Sequence, residues 1–154
     1  MGRADEALEY CDAALHVAGM VTDMGYAFPA YSCKGRALGL LGKPEDGRKL
    51  LIQALDKTRQ LHMPLEESQI LIALGQVSVG AGDRRTAIQY FEQAGALSRE
   101  KGFNHSIAWS MYEAARIYRD QGNYVDADAA GIDLRKPGAG AGKTIHASAW
   151  RQSD

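Results

Sequence analysis

No run of 18 apolar residues occurs in the chain, so no segment is built to cross a bilayer as a helix. Cysteine is scarce: Cys11 and Cys33 are the only two in 154 residues. That is too few for a disulfide framework and suits a reducing compartment. Both lie in helical stretches, where they read as small buried hydrophobes rather than metal ligands. Charge of one sign is not in excess. Eighteen Lys and Arg face 19 Asp and Glu, a net charge of −1, so nothing draws the chain toward nucleic acid or an anionic membrane. The opening MGRADEALEY lacks the apolar segment of a secretory signal, and with the cysteine usage this predicts a cytoplasmic protein. Catalytic patterns are missing too. His16, His62, His105 and His146 share no metal-ligand spacing with each other or with the cysteines. A lone histidine near a helix end reads as a solvated cation favoured by the helix dipole. Ser68 and Ser106 stand in no GxSxG and read as helix-start residues, and the acidic pairs Asp5–Glu6 and Glu66–Glu67 read as first-turn carboxylates. The expectation is a non-enzyme with no catalytic residue, metal or cofactor.

What is present is a period. Gly2, Gly42, Gly82 and Gly122 stand forty residues apart, as do Ala7, Gly47, Ala87 and Ala127. Ala14, Ala54 and Ala94 keep the step, with Leu134 in the fourth slot. Gly35, Gly75 and Ala115 keep it as well, and so do Tyr31, Leu71 and Met111. Small residues at fixed slots mean that two helices approach closely at the same point of every repeat.

The segments between these markers are helical. Ala87, Ile88, Phe91, Ala94 and Leu97 form an amphipathic stripe, and Ile107, Met111, Ala114 and Tyr118 form another. No stretch alternates with period two for long enough to make a strand. Pro29, Pro44 and Pro64 fall near helix starts, and Pro137 follows the last helix. The turns LGKPED, GAGDRR and DQGNYV each carry a glycine suited to a left-handed helix C-terminus. Seven helices follow, over roughly 3–20, 27–41, 44–62, 66–81, 84–101, 105–121 and 123–135. The fold class is all-α. One orphan helix and three antiparallel pairs are expected to stack into a right-handed α-solenoid of about 3.5 repeats spanning 1–135, with a glycine-rich tail over 136–154.

These residues resemble the tetratricopeptide repeat, in which small and large side chains alternate along the first helix and a small–aromatic–small set marks the second. Repeat one reads Tyr31, Gly35, Leu38, Gly42, Gly47, Leu51, Ala54, and repeat two reads Leu71, Gly75, Ser78, Gly82, Ala87, Phe91, Ala94. Repeat three reads Met111, Ala115, Tyr118, Gly122, Ala127, Gly131, Leu134, and the opening helix supplies Ala7, Cys11 and Ala14 of a half repeat. The resemblance covers 2–135. Its period is forty where the usual repeat has 34 residues, as in the longer repeats of bacterial regulators such as maltose-type transcription activators and peptide-sensing regulators. Ser78 and Gly131 depart from the family pattern, which marks the third pair as the least well packed.

The resemblance implies a concave groove lined by the first helices and a role as a protein- or peptide-binding scaffold. Its alternative is a ligand- or peptide-sensing domain of a larger transcription or signalling regulator. In the third pair the face opposite the core carries Trp109, Tyr112, Glu113, Arg116, Arg119 and Asp120. In the second it carries Gln69, Ile72, Gln76 and Val79, and in the first Pro29, Ser32, Arg36 and Leu40. Arg36, Gln76 and Arg116 share one slot and are expected to form a ladder binding carboxylates or peptide carbonyls of an acidic partner. Trp109 and Tyr112 beside them suit an apolar or aromatic side chain. The chaperone-tail clamp of some family members wants Lys and Asn where Ser32, Cys33 and Arg36 stand, so that partner is not expected. An open solenoid end at Leu8, Cys11 and Leu15 suggests either a truncated repeat array or self-association.

One motif competes. GAGAGKT, Gly138 to Thr144, has the closing letters of a phosphate-binding loop. The glycine required five places before Gly142 is Pro137, no buried strand precedes the loop, and ten residues follow Thr144. The stretch reads as the place where the repeats stop, with Trp150 suited to folding back on the solenoid end.

Overall fold

The structure is a computed structural model that describes residues 2–21 and 24–122. Among these residues it is all helix, with no strand: α1 (Gly2–Val21), α2 (Met24–Leu40), α3 (Pro44–Gln60), α4 (Pro64–Gly80), α5 (Arg84–Lys101) and α6 (Asn104–Asp120). The expected seventh helix and the GAGAGKT tail with Trp150 lie outside the described residues. The six helices fall where the periodicity puts them. The largest difference is at α2, which begins three residues earlier than read; α4 begins two residues earlier and α3 ends two residues earlier. Pro29 therefore lies inside α2, where its missing N–H removes one bond of the helix ladder.

Each helix packs on the next in sequence, and α4 also packs on α2 and on α6. The core is continuous from α2 to α6, with Phe28, Leu51, Ile70, Leu71, Leu74 and Phe91 almost wholly buried. Of the helices α3 to α6, only α5 has a side-chain cap. Asp83 accepts from the Thr86 N–H at 3.1 Å. The hydrogen bonds from the Thr86 side chain and backbone hold the Asp83 carboxyl below its ordinary value. The helices α3 and α4 start instead on Pro44 and Pro64.

The turns are copies of one another. Gly42, Gly82, Gly102 and Gly122 have φ of 77°, 81°, 76° and 73°, and His62 takes the same left-handed place with φ 53°. The N–H of the next residue reaches back five positions: Lys43 to the Leu38 carbonyl, Met63 to Thr58, Asp83 to Ser78 and Phe103 to Ser98, at 2.8–2.9 Å. This is the Schellman closure of a helix C-terminus. The step between these turns is twenty residues, so the forty-residue period contains two equal half-steps. His62 is thus a turn residue, where the sequence suggested only a solvated cation.

Small residues sit where helices touch. A Cβ on Gly35 would lie 2.5 Å from Leu51 Cγ, and one on Gly75 would lie 2.5 Å from Phe91 Cε1. Ser68 is fully buried and its Oγ lies 2.6 Å from Ser98 Oγ on α5. It bridges two helices and does not cap one. Ser78, which departs from the family pattern, is also fully buried, and its hydroxyl has no hydrogen-bond partner.

Two expectations about the first helix change. Cys11 and Cys33 form a disulfide between α1 and α2, beside the Lys34–Asp12 ion pair. They are one cross-link rather than two separate thiols. The side chains expected to be open also differ. Cys11 is buried and Leu8 and Leu15 are half-buried, while Tyr10, Val17 and Met20 form the exposed apolar face of α1.

Two outcomes follow from the turn and the crossing. His62→Gly relieves a left-handed side chain and raises stability by about 1 kcal/mol, whereas Gly82→Ala lowers it by about the same amount, as read from urea unfolding midpoints. Gly75→Ala gains about 1 kcal/mol of helix propensity but meets a buried ring, and overpacking of this kind costs about 1–3 kcal/mol. A net loss is expected in the same assay, and adding Phe91→Leu recovers part of it.

Candidate functional site

The helices α2, α4 and α6 lie side by side, and the slots that face outward along them line a groove. Three cavities follow one another in it, of about 320, 270 and 260 Å³. Arg36 and Gln76 line both the first and the second. Glu113 and Arg116 line both the second and the third. The shared residues make the three cavities one continuous depression.

The lining follows the forty-residue step. Pro29, Gln69 and Trp109 share a slot and all line the first cavity. Arg36, Gln76 and Arg116 share another and all line the second. Two slots that shape the crossings and turns are nearly uniform, Gly, Gly, Ala at 35, 75 and 115, and Gly at 42, 82 and 122. The lining slots differ in chemistry from repeat to repeat.

Of the six residues singled out by sequence, four come together. Arg36 is exposed at the junction of the first two cavities, and its Nε donates to the Ser32 carbonyl at 3.3 Å. Among the described residues it has no carboxylate partner. Gln76 is half-buried across from it, and Arg116 lines the next section. Trp109 is 40% exposed in the first cavity, 6.4 Å from the His105 ring and nearly parallel to it. The other two stand aside. Tyr112 is 6.3 Å from Trp109 and lies under the Arg116 guanidinium at 6.0 Å, but it lines none of the three cavities. Arg119 places Nε and Nη2 on Asp120 Oδ1 at 3.0 and 2.9 Å and also lines none.

The residue that sequence reasoning undervalued is Glu113. It lies on the groove face as read, but at its floor, 7% exposed. Its Oε1 accepts from Gln76 Nε2 at 3.1 Å and its Oε2 from Arg116 Nη1 at 2.9 Å. The ladder of two guanidiniums and an amide is therefore not open along its length. A carboxylate of the chain itself already occupies two of its three members. The signal was there: Glu113 and Arg116 are an i, i+3 pair of opposite charge. Ile72, also read on the open face, is likewise buried at the floor.

No protein-family model matches this chain, and no curated protein matches it.

The two arginines differ in their structural weight. Arg116→Gln leaves a buried carboxylate short of its charged partner and is expected to cost about 1–2 kcal/mol of stability. Arg36→Gln touches an exposed side chain and stays within about 0.5 kcal/mol of wild type. Paired urea titrations distinguish these values, and equal losses would mean that Glu113 does not depend on Arg116.

Proposed function

We propose that this chain is a non-enzymatic protein- or peptide-binding scaffold, a right-handed superhelix of tetratricopeptide type whose groove over α2, α4 and α6 is the binding surface. One observation carries the reading: the small-residue slot at Gly35, Gly75 and Ala115 and the turn glycines at 42, 82 and 122 repeat almost unchanged, while the groove slots vary residue by residue. A purely structural stack gains nothing from that variation. A surface that reads an extended partner needs different chemistry at successive positions, because each repeat meets a different residue of the ligand. The first cavity offers a half-exposed indole, Ile72 and Ala73 for an apolar side chain. Arg36 and Gln76 beyond it offer N–H donors to peptide carbonyls or a carboxylate.

The partner is a peptide segment and not a small apolar ligand. The three cavities are open and continuous, and their polar residues alternate with apolar ones along the groove. The test is selection of twelve-residue peptides from a display library, followed by NMR titration. Selected peptides should shift amides of α2, α4 and α6 and leave those of α3 in place. Trp109→Ala combined with Arg36→Glu should weaken them by about thirtyfold, the scale of one binding hot spot. Unchanged affinity in that double variant, or shifts confined to α3 and α5, would remove the groove from consideration.

A further inference from the structure

The first two cavities of the groove carry two guanidiniums, Arg36 and Arg116, and they are not equivalent. Arg116 is spoken for by Glu113, which also takes the Gln76 amide. Glu113 is too buried to swing out into water without losing both bonds and exposing the Arg116 charge to the groove alone. Arg36 has only a backbone carbonyl at 3.3 Å, and it stands where the first cavity opens into the second. In the lining of these two cavities, two guanidiniums against one carboxylate leave one net positive charge apart from His105. That charge is centred at Arg36.

We infer that Glu113 sets the charge rule of the first two cavities: by filling the Gln76–Arg116 fork it leaves Arg36 as the guanidinium open to a ligand there, so this stretch of the groove takes a peptide segment with a single carboxylate beside an apolar side chain. This rests on the groove being a peptide site. Within these two cavities a second ligand carboxylate would have to lie over Arg116, next to the Glu113 charge. There the repulsion from Glu113 offsets the attraction of the guanidinium it neutralises. A polyacidic tail is therefore disfavoured, although a ladder of open arginines would have welcomed it. The apolar neighbour of the carboxylate goes into the Trp109 cavity, which Arg36 also lines.

The probes are three capped octapeptides of one Phe, one Leu and Gly/Ser spacers, bearing no Asp, one Asp or two Asp. Binding is followed at low salt by the groove amide shifts. With wild type, the first Asp should tighten binding about threefold and the second by less than about twofold, the scale of one exposed ion pair. Arg36→Gln should erase the gain from the first Asp, while Arg116→Gln should keep it. Glu113→Gln keeps an acceptor for Arg116 and a side chain of the same size, and in it the second Asp should add about threefold. The inference fails if both aspartates strengthen wild-type binding equally, if Arg116→Gln loses the gain as fully as Arg36→Gln, or if Glu113→Gln folds and leaves the preference unchanged. If none of the three peptides binds wild type or any variant, the peptide-groove reading fails with it. Groove shifts without the charge preference overturn only the role of Glu113.

Discussion

The left-handed turn that recurs every twenty residues is the constraint on which the rest of the structure depends. An α-helix completes five turns in about 18 residues. The helices α2 to α6 have 17 or 18 residues each, so each ends on nearly the azimuth where it began. Two successive turns then lie on the same side of the helix, and the next helix always meets the same face. One residue more in any helix would rotate everything after it by about 100°. The hydrogen bond that closes each turn, from the residue after the left-handed one back to the helix, fixes where the chain leaves the cylinder. Repetition of that bond keeps the small-residue slots aligned from layer to layer.

Once the azimuth is fixed, the close approaches follow. Gly35 against Leu51 and Gly75 against Phe91 are the same contact in two layers, and each works because one partner has no side chain. The large partner fills the space over the bare backbone, and Leu51 and Phe91 become almost completely buried. A site on Gly47 for a Cβ would lie 2.5 Å from the Gly35 carbonyl oxygen, so the α2–α3 crossing is tight on both sides. The corresponding slot on α5 holds Ala87, and it is buried without cost. Packing is held by complementary sizes within each layer rather than by identical residues in all of them.

The periodic part of this arrangement was legible in the sequence because it depends on spacing alone. Helix positions, glycine turns and the buried stripe at Ala87, Phe91 and Ala94 all follow from residue intervals. The missed features depend on neighbours that no interval reveals. His62 fills a glycine slot with a residue that tolerates the left-handed region, and the forty-residue register hides it because its partners lie twenty away, at Gly42 and Gly82. The Cys11–Cys33 link spans 22 residues with no third cysteine to make a pattern. Ser68 has the position of a helix-start residue, and only the approach of α5 turns its hydroxyl toward Ser98. Glu113 has the periodicity of an exposed residue, and only the closeness of α4 covers it.

Glu113 also shows how equivalent positions of a repeating helical stack take on different chemistry. Its slot holds Cys33 in the first layer, Ala73 in the second and Glu113 in the third. The first makes a cross-link, the second walls a cavity and the third neutralises an arginine. The backbone delivers the three positions to equivalent places, so their different roles come from side chain chemistry and not from geometry. The same holds for Pro29, Gln69 and Trp109 along the first cavity. Uniform slots set the helix crossings beneath the groove, and variable slots give its lining a direction. Trp109 and its aromatic neighbours mark one end, Arg36 and Gln76 the middle, and the Glu113–Arg116 pair the approach to Arg84 and Asp120. On the proposed reading, a ligand lying in such a groove meets a different partner at each step. Reversing the proposed peptide would put its apolar group on the ion pair and its charge on the indole, so under that proposal the order of these residues is itself a source of specificity.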